Sequence, residues 1–269
     1  MRRLLVIGSL LVVVIVGVLA VARLTHPLRP IIILPSDRLS TLLTPSLPRR
    51  IDRLAKELVA TRATDRPKLI ALTFDDGPYP VTTPLLLHTL AQLHIHATFF
   101  AIGRDALQWP GITKRIEAGG NEIADHTATH PDLDAETSAQ VRREMLDGRD
   151  ELWSMVHDPA IRTMMRPPHG RYTEKTIRTI QNLGYSVILW SDDTGDWRDL
   201  LPRDIVAHMR ARATAPEIEL LHSGKIATVE ALPEVVARFR AAGYRFVTVS
   251  QLLRMATRNQ LEYPARHAV

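Results

Sequence analysis

Leu69-Ile70-Ala71-Leu72-Thr73-Phe74-Asp75-Asp76-Gly77-Pro78 is the stretch from which the fold can be read. The apolar run over 69–74 has the length of a buried strand, and it stops abruptly on two carboxylates and a Gly-Pro turn. Working outward, the same rhythm recurs. Short apolar runs at 97–102, 122–124, 163–166, 186–190, 217–221 and 245–249 predict six further strands. Between them, stretches near 82–93, 105–118, 137–156, 173–183, 203–212 and 229–242 predict helices. Such alternation predicts an α/β fold, a parallel sheet with helices outside it. Seven strands in about 190 residues predict a distorted seven-stranded (β/α) barrel, slightly smaller than an eightfold one. The chain shows no internal repeat.

Polar residues gather at one end of these strands. Asp75 and Asp76 follow the first, His126 the third, Arg166 ends the fourth, Asp192 and Asp193 follow the fifth, and His222 the sixth. Scattered surface polarity would not favour the carboxyl ends, where α/β barrels build their sites. The pattern therefore predicts one shared site.

The chemistry of that site follows from the residue types. There are no cysteines, which excludes disulfides, thiolate metal sites and a cysteine nucleophile. Any metal must be held by His and carboxylate. Two adjacent carboxylates, Asp75 and Asp76, cannot face the same way, so one can bind a cation while its neighbour accepts a proton. His126-Thr127-Ala128-Thr129-His130 has the i, i+4 spacing that puts two imidazoles one turn apart. Alone, the first motif is an ordinary turn and the second a surface pair. Together, Asp76, His126 and His130 offer two nitrogens and an oxygen and leave a fourth position for water, the arrangement of catalytic zinc. Arg166-Pro167-Pro168-His169-Gly170 reads as a stiff loop whose arginine can hold a carboxylate. In Asp193-Thr194-Gly195-Asp196-Trp197 an aromatic stands beside carboxylates, as in sugar sites, and Leu220 and His222 share one face of a strand.

Taken in order, TFDDGP, HTATH, RPPHG, DTGDW and LLH resemble the NodB-like polysaccharide deacetylases, carbohydrate esterase family 4, over about residues 68–253. The resemblance implies a barrel of NodB type and a hydrolase that removes N-acetyl groups from N-acetylhexosamine units of a polysaccharide. It implies Asp75 as general base, Asp76, His126 and His130 as ligands of a divalent metal (zinc first), and Arg166 as the partner that tunes the base. It further implies the backbone N–H of His169 as an oxyanion donor and Asp196, or alternatively Asp193, as the carboxylate orienting the acid. Trp197 and Leu220 would be pocket walls and His222 the catalytic acid. Two positions depart from the family pattern: His169 stands where Tyr is frequent, and Ser223 where Asp often follows the acid. A backbone role survives the first change. Peptidoglycan, chitooligosaccharide and poly-N-acetylglucosamine all fit as substrates. An O-acetyl esterase or a catalytically silent, membrane-tethered glycan-binding protein would share the fold.

The ends of the chain carry an address rather than chemistry. Residues 4–22 are uncharged and follow Arg2 and Arg3, a length that spans a hydrocarbon core of about 30 Å. An uncleaved signal anchor is favoured because the run exceeds the usual 7–15 residues of a signal-peptide core. Ala20-Val21-Ala22 would serve as a cleavage site for a secreted form. Either version sends the remainder to the extracytoplasmic side. The expected organisation is a transmembrane or signal segment at 1–22, a Pro-rich basic stalk at 23–66, the catalytic domain at 67–255 and a tail at 256–269. Residues 1–66 carry 11 Lys/Arg against 4 Asp/Glu, and residues 67–269 carry 23 against 25. The net charge of +5 thus belongs to the N-terminal segment, which argues for anionic headgroups and against nucleic acid as partner.

Overall fold

A computed structural model describes residues 33–34, 68–212 and 216–262. The expected membrane segment, the rest of the stalk and the last residues of the tail lie outside the described residues. Among the described residues no helix is long and apolar enough to cross a membrane.

The strands are β1 Ile33–Leu34, β2 Leu69–Asp75, β3 Thr98–Ala101, β4 Glu122–Asp125, β5 Met164–Met165, β6 Ser186–Ile188, β7 Asp192–Asp193, β8 Glu217–His222 and β9 Arg245–Phe246. The helices are α1 Thr82–Gln92, α2 Gly103–Gln108, α3 Pro110–Ala118, α4 Ser138–Trp153, α5 Glu174–Gln181, α6 Pro202–Arg212, α7 Ile226–Ala241 and α8 Val249–Glu262. All seven residues of β2 are buried, which is why its sequence does not alternate. Ile70, Leu72 and Phe74 pack outward with Leu86 and Leu90 of α1 and Leu232 and Val236 of α7. Leu69 and Ala71 face the interior with Phe100, Ala124, Ile188 and Ile218. By the two-residue period, Thr73 and Asp75 share that interior face.

One edge of β2 runs parallel to β8 from Ile70↔Glu217 to Asp75↔His222. The other edge is divided between β9 at its start (Leu69↔Arg245) and β3 at its end (Thr73↔Thr98). The sheet order is β1-β6-β5-β4-β3-β2-β8-β7, parallel throughout except for the antiparallel β1–β6 pair. The seven expected strands are present, but β6 and β7 are not paired, so the sheet is a curled half-barrel rather than a closed one.

Three differences from the sequence reading have local causes. The helix expected over 105–118 is two, α2 and α3, because Pro110 keeps Trp109 out of helical geometry (φ −126°, ψ 56°). The strand expected over 245–249 pairs only at Arg245–Phe246. Its apolar continuation instead turns into α8, whose first amides are accepted by the Thr98 hydroxyl (Val249 N–H, 2.9 Å) and the Glu122 carboxylate (Ser250 N–H, 3.2 Å). Helix α8 then continues to Glu262, past the position where the tail was expected to begin.

Candidate active site

Asp75 ends β2 on the interior face, and its side chain is buried. Facing it is Arg166, which follows β5 and has no exposed surface. A buried guanidinium persists only with its donors satisfied. Arg166 Nη1 donates to Asp75 Oδ1 (2.6 Å) and to the Thr73 hydroxyl (2.8 Å), Nε to the Ile188 carbonyl (3.2 Å) and Nη2 to the Leu189 carbonyl (3.3 Å). Its plane lies over the Phe100 ring, 4.1 Å from the centroid. Burial lowers the pKa of this guanidinium and the Asp75 charge works against it. Asp75 is thereby fixed in place by a group that can hardly move.

Asp76 leaves the strand with a left-handed backbone (φ 70°), so its carboxylate diverges from that of Asp75. Its Oδ1 lies 3.2 Å from His130 Nε2 and 3.7 Å from His126 Nε2. Ligand atoms of Asp76, His126 and His130 all fall within 4.8 Å of one another. Burial would raise the Asp76 carboxyl, but the His130 hydrogen bond and the His126, His130 and His222 imidazoles outweigh it and hold it at about 2. His126 is buried, which pulls its imidazole below the usual value despite the nearby Asp75 and Asp76 carboxylates. Its Nδ1 lies 2.7 Å from the Arg166 carbonyl oxygen, an acceptor that fixes the proton on Nδ1 and leaves the Nε2 lone pair free. Two imidazole nitrogens and one carboxylate, with the His126 tautomer already set, fit a divalent cation.

The two histidines do not meet on a helical turn, as their spacing suggested. Residues 126–130 form a bend in which Thr127 (φ 71°) and His130 (φ 63°) are left-handed. Asp125 Oδ1 accepts the Thr127 N–H (2.7 Å), and the Thr127 hydroxyl accepts the His130 N–H (3.0 Å). Helix α4 supports the bend from behind at Gly148, where a Cβ would stand 2.6 Å from the Thr127 carbonyl carbon. A mid-helix glycine costs about 1 kcal/mol, and close approach to this loop accounts for it.

Across the site, His222 ends β8 as the register partner of Asp75, so both side chains project on one face. Asp196, in the 3₁₀ turn Asp196–Arg198, faces it with Oδ1 2.7 Å from His222 Nδ1. Asp196 Oδ2 accepts the His222 N–H (2.8 Å) and the Thr228 hydroxyl (2.6 Å). Burial alone would lower the His222 pKa. The Asp196 hydrogen bond, together with the Asp75, Asp196 and Asp76 charges, more than offsets that and raises it. Asp193, the alternative partner, instead accepts the Gly195 N–H (2.9 Å) and shapes the turn. Leu220 is buried beside His222, and Trp197 is 49% exposed with Arg198 against its ring.

His169 adopts φ 54°, and its N–H makes no hydrogen bond among the described residues. Its ring stands edge-on to His130, centroids 4.5 Å apart, and its Nδ1 lies 2.7 Å from Asp132 Oδ1. Arg171 donates to Asp132 Oδ2 (2.7 Å) and to Asp134 (3.1 Å), tying the loop after His130 to the loop after Arg166. Sequence reasoning missed Asp125, Asp132, Arg171, Thr73 and Thr228, which orient the predicted residues. Ser223, noted only as a departure, bonds the other side of the site: its N–H reaches the Asp75 carbonyl and its hydroxyl the Asp76 carbonyl, both at 3.0 Å. None of these sits in a spacing that distinguishes it from a turn or strand residue.

A family model described as polysaccharide deacetylase matches residues 62–188. A peptidoglycan-N-acetylglucosamine deacetylase of Bacillus cereus is 36% identical over 211 residues, covering 75% of this chain and 98% of that protein. A chitooligosaccharide deacetylase of Sinorhizobium fredii is 37% identical over 155 residues, 58% of this chain and 72% of that protein. Among solved structures, the peptidoglycan deacetylase PdaC from Bacillus subtilis superposes with a TM-score of 0.65 at 30% identity, covering 74% of this chain and 98% of PdaC.

Proposed function

Because the chain belongs to the polysaccharide deacetylase family, we propose that it hydrolyses N-acetyl groups of N-acetylglucosamine units in a cell-wall glycan, peptidoglycan first. One observation carries this reading: Asp75, paired with Arg166, and His222, paired with Asp196, end adjacent parallel strands beside the Asp76, His126 and His130 donors. A base and an acid are thus available on one face next to a cation site. A divalent ion bound there, zinc being the best match to two imidazoles and a carboxylate, would polarise the acetyl carbonyl and acidify water.

The chain's own groups then have defined tasks. Asp75 accepts the proton of the attacking water, and the His169 N–H, free of other partners among the described residues, is available to the carbonyl oxygen as it gains charge. As the C–N bond breaks, His222 delivers its proton to the departing amine. Water and an N-acetylglucosamine unit go in; acetate and a free glucosamine unit come out. The raised His222 pKa supports the acid role.

The uncharged run at 4–22 behind Arg2 and Arg3 supports placement of the catalytic domain on the extracytoplasmic side of a membrane, held by a signal anchor. The test is acetate release by the full-length protein from peptidoglycan, N-acetylglucosamine oligomers and an O-acetylated xylan, with and without chelation and zinc add-back. Zinc-restored release from the N-acetylated glycans is expected. Release from the ester alone, or release indifferent to chelation, would overturn the reading.

A further inference from the structure

Tyr79 has no role in the site described above, yet its position is tightly defined. Its ring is seated between the turn that follows Asp75 and Asp76 and the loop that follows His222. A Cβ on Gly77 would stand 2.9 Å from Tyr79 Cδ2, and a Cβ on Gly224 would stand 2.7 Å from Cε2 and 3.0 Å from Cζ. Gly77 also has a left-handed backbone (φ 68°), but Gly224 has no such conformation to explain it. The ring of Tyr79 is what requires a glycine at 224. The Tyr79 backbone is fixed as well, its N–H donating to the Thr83 hydroxyl at 2.8 Å.

A side chain so confined would ordinarily be a packing plug. Tyr79 is not covered, however: it is 37% exposed, and its hydroxyl has no partner among the described residues. Val81 (68% exposed) and Ile226 (48% exposed) lie two residues beyond Tyr79 and Gly224 on the same two segments. Leu220, by contrast, is buried at 4% exposure beside the acid. An aromatic ring with a free hydroxyl donor on a partly apolar rim suits a pyranose, which has one apolar face and a fringe of hydroxyls.

We propose that Tyr79 forms a glycan subsite at the rim, binding the sugar unit next to the one whose acetamide is cleaved, with Gly224 left open to seat its ring. The proposal rests on the deacetylase reading only for the identity of the glycan. Its test measures KM and kcat for acetate release by the full-length, zinc-loaded protein on N-acetylglucosamine oligomers of one to five units. In parallel, binding of the fully deacetylated tetramer is measured calorimetrically.

For Tyr79→Ala, KM for the tetramer and pentamer should rise about tenfold with kcat little changed. The tetramer Kd should rise by the same factor, and the single sugar should be unaffected. Tyr79→Phe should show a smaller rise, isolating the hydroxyl. Gly224→Ala should reproduce Tyr79→Ala, and combining the two should add nothing further, since both remove the same seated ring. Leu85→Ala, an exposed change on α1, serves as the control. Unchanged KM and Kd with a lowered melting temperature would show that the ring only packs, and a kcat loss equal at every chain length would show that it assembles the site; either result overturns the subsite. If the wild type releases no acetate from any oligomer, the deacetylase reading fails, while tetramer binding that depends on Tyr79 would still establish the subsite.

Discussion

Two groups of acids, all buried except the half-buried Asp76, lie in opposite surroundings. At the carboxyl ends of β2 and β8, Asp75 meets Arg166, Asp76 meets two imidazoles, and Asp196 meets His222 and the Thr228 hydroxyl. On β8 itself, Glu217 and Glu219 alternate with Ile218 and Leu220 and so face the other way, fully buried beside Asp192 of β7. Among the described residues the polar partner of the Glu219 carboxyl is another acid, Glu217, and His208 Nε2 lies 2.9 Å from Asp192 Oδ2 without the alignment of a hydrogen bond. Burial, then the Glu217 and Asp192 charges, pushes the Glu219 carboxyl well above its usual value, whereas Asp76 is held at about 2. Asp75 and Asp196 are as deeply buried as Glu217 and Glu219. The partners differ, and they determine which carboxylates are equipped for chemistry.

Substitutions should separate the groups sharply. Asp76→Ala and His126→Ala should lose bound zinc and bring acetate release to background, while Glu219→Gln should retain both. Metal analysis of the purified proteins beside an acetate assay checks this, and zinc retained in Asp76→Ala would refute the ligand assignment.

A second effect, still large, distinguishes the neighbours Asp75 and Asp76. Asp75→Asn should keep its metal and lose turnover by about 10²–10⁴-fold, the usual worth of a general base. Asparagine preserves an acceptor for Arg166, whereas Asp75→Ala would strand a fully buried guanidinium at a cost of about 3–5 kcal/mol in stability. Equal metal loss in Asp75→Asn and Asp76→Ala would mean that the two carboxylates share one job.

The outer group should show itself in stability alone. Glu219 binds its proton more tightly folded than unfolded, so the folded state carries the extra proton above the ordinary carboxyl value of 4.5. Stability therefore falls as pH rises from there towards the folded pKa, by about 1.4 kcal/mol per pH unit for one proton. Denaturant titrations at a series of pH values should find that slope reduced in Glu219→Gln. An unchanged slope would place the proton elsewhere.

How far the sequence could be read depended on what each residue contacts. Strands were most legible where the apolar run is continuous and buried on both faces, as in β2. The candidate site residues could be grouped because Asp75 and His222 end strands and Asp76, His126 and Arg166 directly follow them. What carried no signal was whatever acts across the fold. The Thr98 and Glu122 groups that turn residue 249 into a helix start are more than 120 positions away in sequence. Likewise Thr228 reaches Asp196 from 32 positions away, and Asp132 reaches His169 from 37. The bend at 126–130 was misread because i, i+4 spacing is shared by a helix and by a loop with two left-handed residues.

The most direct test of the account is the pH dependence of kcat for acetate release in wild type and Asp196→Asn, with zinc content measured on the same samples. In the proposed mechanism His222 acts protonated, and the Asp196 carboxylate raises its pKa, so activity should be lost as pH climbs through that value. Asparagine keeps an acceptor for the imidazole and removes the charge. An alkaline limb displaced to lower pH and a reduced maximum are expected, with zinc unchanged. An alkaline limb that stays where it was, with only the melting temperature lowered, would contradict it and leave His222 a packing residue.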